Sequence, residues 1–95
     1  MNTEFKFHQD PGHGWLEVDL VDLANVGLSY RDFSRYSYVD VRHPGGRMFL
    51  EEDCDFALFV TAFVARNGQA PKTIDVMHDG RNDGECFIRL LPSNS

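Results

Sequence analysis

Three side chains near the start of the chain are of types that bind divalent metals. His8, Asp10 and His13 surround the breaking residues Pro11 and Gly12. Two imidazoles and a carboxylate match the donor set of open catalytic metal sites, which keep a position for water or substrate. Against that, HxxxxH on a turn is not a recognised ligand spacing. His13, between Gly12 and Gly14, can simply bond neighbouring main chain. These three residues are kept as weak metal candidates, in an alternative reading as a small metal-dependent enzyme. The main reading expects no metal and no cofactor.

A second group is acidic: Glu51, Glu52, Asp53 and Asp55. Such a cluster can dock arginines or lysines of a partner, because complementary charge steers association. Two of its carboxylates could pair as acid and base. It can also serve the unpaired N–H groups and positive dipole end of a helix N-terminus. Cys54 lies in the same stretch, with no Cys–His pairing evident in the sequence to activate it, and Cys86 reads as a core residue of a strand. Four of the nine basic residues, Arg31, Arg35, Arg42 and Arg47, are interleaved with Tyr30, Phe33, Tyr36 and Tyr38. Arginine with aromatics is the composition of protein-interface hot spots, and also of surfaces that stack single-stranded bases. Basic residues precede the acidic cluster in sequence, and that segregation favours a protein contact. The expected contact surface is Glu51, Glu52 and Asp55 with Tyr36, Tyr38, Arg42 and Arg47. A glycine-rich phosphate loop, nucleophile elbow, HExxH and Rossmann fingerprint are all missing from the sequence.

The elements that must position these residues are legible from periodicity. Phe56, Phe59, Val60, Phe63 and Val64 recur at helical spacing, so a long helix runs from about Cys54 to Asn67, with Asp53 as its N-cap and Gly68 ending it. Residues 4–8 alternate with Phe5 and Phe7 inward, and residues 14–18 form a hairpin partner anchored by Trp15. Asp19 caps a short helix packing Leu20, Leu23 and Ala24, stopped by Gly27. Residues 29–36 show no clear period and read as loop or a helical turn. Strands at 36–42 and 47–51 flank the His43–Gly46 turn. A strand at 72–78 and a final one at 86–91 form a last hairpin across the 79–84 turn, leaving 92–95 as a frayed tail. The order β-β-α-β-β-α-β-β predicts an α+β fold: a mostly antiparallel sheet of about 5–6 strands against one long and one short helix.

Ninety-five residues read as a single domain, 1–95. A net charge of -6 argues against non-specific nucleic-acid binding, which needs a basic stripe; no direct sequence-specific nucleic-acid contact is expected either. No apolar run reaches the roughly 18 residues needed to span a membrane, and MNTEFKFHQD lacks a signal-peptide core. The expectation is a cytoplasmic protein with reduced thiols.

His8 to Val18 (HxxPGHGWLEV), the SYSY-like stretch Ser34 to Tyr38, FLEEDCD (Phe49 to Asp55) and FIRLLP (Phe87 to Pro92) together resemble small, mostly uncharacterised proteins of phages, plasmids and integrated elements of proteobacteria. The resemblance covers most of the chain and departs from the pattern at the arginine-rich RHPGGR turn. It carries over no catalytic residues. It implies a context in which small acidic proteins inhibit host defence, anti-CRISPR proteins among them, by occupying a site on a host protein or nucleoprotein complex. The expectation is a non-catalytic binding factor of this kind in a bacterial host cell. A self-associating accessory protein, closing an exposed strand edge or aromatic patch on its twin as a homodimer, is a further alternative.

Overall fold

Alternating side chains on three neighbouring strands give the sheet two apolar surfaces of unequal size. The computed structural model describes residues 2–78 and 87–94. Strands β1 (Glu4–Gln9), β2 (Gly14–Asp19), β3 (Tyr38–Asp40), β4 (Arg47–Glu51) and β5 (Lys72–Met77) form one five-stranded sheet in the order β3-β4-β2-β1-β5. Two helices, α1 (Leu20–Asn25) and α2 (Cys54–Asn67), complete an α+β architecture. Tyr30–Asp32 and Phe87–Leu90 are 3₁₀ turns.

The β1–β2 and β3–β4 pairs are antiparallel hairpins, and β4 also pairs antiparallel with β2, which places it between β2 and β3. The exception is β5, which runs parallel to β1 along its whole length, from Glu4↔Lys72 to Gln9↔Met77. Parallel strands need a crossover, and α2 supplies it by carrying the chain from β4 past β2 and β1. The sheet is therefore mixed. The expected last hairpin does not form among the described residues: Phe87–Leu90 is a 3₁₀ turn, and Cys86 with the 79–84 turn lies outside them.

On one face Phe5, Leu16, Val18, Met48 and Leu50 meet Phe59 and Phe63 of α2, with Leu23 and Phe33 closing the ends. Phe5 stands edge-on to Phe59 and Phe63, with ring centroids 5.2 and 5.9 Å apart, the favoured aromatic geometry. Val64 is exposed, and so is Ala24 of α1. The buried side of α2 turns toward Asp55 instead. The opposite face holds a smaller cluster of Trp15, Phe49 and Ile88, edged by Tyr38 and Leu91.

Two glycines are required by close approach. A Cβ on Gly14 would sit 2.6 Å from the Phe7 ring, and one on Gly46 would sit 2.6 Å from Leu20. Gly46 also adopts a φ of 78° and its carbonyl accepts the Leu20 N–H, tying the β3–β4 turn to α1. The C-terminal segment is docked where fraying was expected. Val39 N–H donates to the Pro92 carbonyl, and the Asn94 side chain donates to the carbonyls of Tyr30 and Phe33. Among the described residues no helix is long and apolar enough to cross a membrane.

Candidate functional site

The β4–α2 junction shows how the acidic cluster divides its labour. Glu51, at the end of β4, folds its carboxylate back over the helix start and accepts the N–H groups of Asp53 (2.9 Å), Cys54 (2.7 Å) and Asp55 (2.9 Å). These are the donors a helix leaves unpaired. Asp53 holds the N-cap position, as expected, but makes no side-chain cap bond; Glu51 supplies those bonds in its place. Asp55 is buried and accepts the Ser34 N–H (2.9 Å) and the hydroxyls of Ser34 (2.7 Å) and Ser37. Ser37 Oγ in turn accepts the Glu51 N–H at 3.0 Å. Asp55 is therefore withdrawn from any docking surface by burial and by three hydrogen bonds to its Oδ2. Glu52 and Asp53 remain exposed.

Those serine bonds pin residues 34–37 against the helix start, which shortens the expected 36–42 strand to Tyr38–Asp40 and leaves Tyr36 outside it. Tyr36 is 64% exposed, with the Arg35 guanidinium 5.4 Å from its ring centroid. Trp15 is buried beside Tyr38, centroids 6.1 Å apart, and His13 tilts over its other side at 6.1 Å. His13, Trp15, Arg35, Tyr36 and Tyr38 line a cleft of ≈ 320 Å³ together with Glu51, Glu52 and Asp53. His13 Nδ1 lies 3.4 Å from Glu52 Oε1.

Of the expected contact residues, Glu51, Glu52, Tyr36 and Tyr38 meet in this cleft. Arg42 is exposed in the β3–β4 turn, its N–H on Asp40 Oδ1 at 3.2 Å. Arg47 lies on the sheet, bonded to Asp40 (2.8 Å) and Glu17 (3.4 Å), with its guanidinium 5.0 Å from the Phe49 ring centroid. Neither arginine lines the cleft.

The metal candidates separate into three environments. Asp10 Oδ1 accepts the N–H groups of Gly12 (2.9 Å) and His13 (2.8 Å), which fixes the β1–β2 turn. His13 faces Glu52. His8 is buried on the sheet, its Nε2 2.8 Å from Glu17 Oε1 and its Nδ1 2.9 Å from His78 Nε2. Among the described residues no three His, Cys, Asp or Glu side chains are grouped to hold a metal ion.

The sequence reading missed the chain His78–His8–Glu17–Arg47–Asp40, which spans four strands and the end of β5. Its signal was the alternation itself: His8, Glu17 and Arg47 each sit one residue out of phase with the core positions of their strands. The His8 hydrogen bond, with Arg47 behind it, holds the Glu17 carboxyl below its ordinary range despite burial. Burial, reinforced by the neighbouring His8, pushes His78 down, with Asp10 acting weakly the other way. The Arg47 bond lowers Asp40.

No family model, curated protein or solved structure matches this chain.

Proposed function

We propose that the protein is a non-catalytic binding factor whose cleft receives a basic segment of a partner protein. The observation behind this reading is that the exposed Tyr36–Arg35 pair, held by the Asp55–serine bonds, lines the same cleft as the exposed carboxylates of Glu52 and Asp53. A lysine or arginine entering there meets two exposed carboxylates and the exposed Tyr36 ring, the chemistry that anchors cationic side chains at interfaces. Glu51 lines the cleft but spends its oxygens on the helix N-terminus, so the charge offered to a partner comes from Glu52 and Asp53. The resemblance to mobile-element proteins points to a bacterial defence complex as the partner class, with inhibition by occupancy in the host cytoplasm as the role.

The test is affinity capture from bacterial lysate at moderate salt with three proteins in parallel: wild type, Glu52→Lys with Asp53→Lys, and Tyr36→Ala. A retained protein or nucleoprotein complex that is lost with both variants, and weakened by raising the salt, is the expected result. Equal recovery by all three would end the cleft reading.

A further inference from the structure

The outer edge of β5 carries an inference that does not rest on the cleft. Within the sheet β5 is an edge strand, and five of its six residues are exposed. The other edge strand is covered: β3 is bridged through Tyr38 to Ser93. Among the described residues no strand lies beyond β5. The ladder to β1 settles which main-chain groups face outward. Lys72 N–H donates to the Thr3 carbonyl and His78 N–H to the Gln9 carbonyl, so the even-numbered residues point inward to β1. Thr73, Asp75 and Met77 therefore present their N–H and C=O groups to the outside. Ile74 is 47% and Met77 69% exposed, on a strand that lacks the bulges with which open edges are often protected.

We infer that this edge pairs with the same edge of a second copy, antiparallel, about a two-fold axis at Ile74. An isologous contact must keep each face of the sheet continuous, so residues of like parity face each other. Every register centred on a residue does so, and the number of fully bonded pairs separates them. Centring on Asp75 sets two carboxylates opposite each other, which is repulsive. Centring on Val76 sets Thr73 against residue 79, past the end of β5. Centring on Thr73 leaves one fully exchanged pair, since Asp75 then faces Pro71, which has no N–H to give, whereas centring on Ile74 keeps two and meets Pro71 only at Met77. Centring on Ile74 sets Thr73 against the second copy's Asp75, a pair that exchanges both main-chain bonds and lets the threonine hydroxyl donate to the carboxylate. Ile74 then meets its twin at the closer, non-hydrogen-bonded spacing, and Met77 N–H donates to the Pro71 carbonyl. The strand KTIDVM is self-complementary in this register. Both copies carry net charge -6, so salt strengthens the dimer, opposite to the effect expected for a basic partner in the cleft.

The test is sedimentation equilibrium of the purified full chain from micromolar to millimolar concentration, with cysteine cross-linking in a background lacking the native thiols. A concentration-dependent dimer, favoured by salt, is expected. Ile74→Cys should form a covalent dimer on mild oxidation, while Thr73→Cys, which faces Asp75 rather than itself, should not. Asp75→Pro removes an outward N–H and leaves the main-chain bonds to β1 in place, losing only the exposed Gln9 side-chain bond to the carboxylate, and should give a protein folded by circular dichroism and monomeric by sedimentation. A protein that stays monomeric at the highest concentration, leaving the edge for an extended peptide of another chain, would overturn the inference. So would Thr73→Cys cross-linking as readily as Ile74→Cys.

Discussion

On the helix-covered face of the sheet, Phe5, Leu16, Val18, Met48 and Leu50 interlock with Phe59 and Phe63. On the other face the same strands present His8, Glu17, Arg47 and Asp40, bonded in a row beside the Trp15–Phe49–Ile88 cluster. The first face is held by area and shape, and any lost methylene leaves a void. The second is held by groups that must each keep a partner, since a buried polar atom without one costs more than its bond contributed. The cleft opens at the Trp15 end of this second face, where the chain already tolerates charge. What the contrast teaches is that the apolar face fixes the fold, while the polar face carries the bonded titratable groups.

Substitutions that break this contrast fall in a clear order. Phe59→Ala, in the centre of the apolar face, should cost about 3–5 kcal/mol of unfolding free energy, read by chemical denaturation. Asp55→Ala should cost less, about 1–3 kcal/mol. It should also free residues 34–37, seen as faster amide exchange there, and so weaken capture of the cleft's partner without touching its surface.

On the polar face acid should act through His78 and Glu17. His78 is held below the usual imidazole value of 6.5, so the unfolded chain takes up that proton first, and stability falls as pH drops from about 6.5 through the folded value. Glu17 is held below its usual 4.5; its contribution is present above that value and lost as pH falls through the folded one. Stability curves should therefore decline in two windows, with Glu17→Gln removing the lower and His78→Gln the upper. The smallest effect on stability belongs to Tyr36→Ala, within about 0.5 kcal/mol for an exposed side chain, although it should abolish cleft binding.

Much of the apolar face was legible because helical and strand periods are local signals. Residues 54–67, Phe5, Phe7 and Gly68 fell where their spacing put them. The parallel pairing of β5 was not legible, because β5 and the final segment both follow a turn and adjacency favours a hairpin; only the crossover through α2 decides otherwise. Asp53 was rightly placed at the N-cap position, but the capping bonds were not legible, because a longer side chain two residues earlier, Glu51, reaches the same donors. Asp55 read as surface charge because its partners, Ser34 and Ser37, lie some twenty residues away in sequence. Of the cleft-lining residues, Tyr36, Tyr38, Glu51 and Glu52 had been singled out by composition, a local property of their stretches. Trp15 was foreseen only as core, and His13 only as a metal candidate.

The measurement that bears most directly on the binding reading is zero-length coupling of carboxylates to lysines in a captured complex, followed by peptide mapping. Cross-links from Glu52 or Asp53 to lysines of the partner are the predicted result. Cross-links confined to acids away from the cleft, such as Glu4 or Asp32, would contradict it.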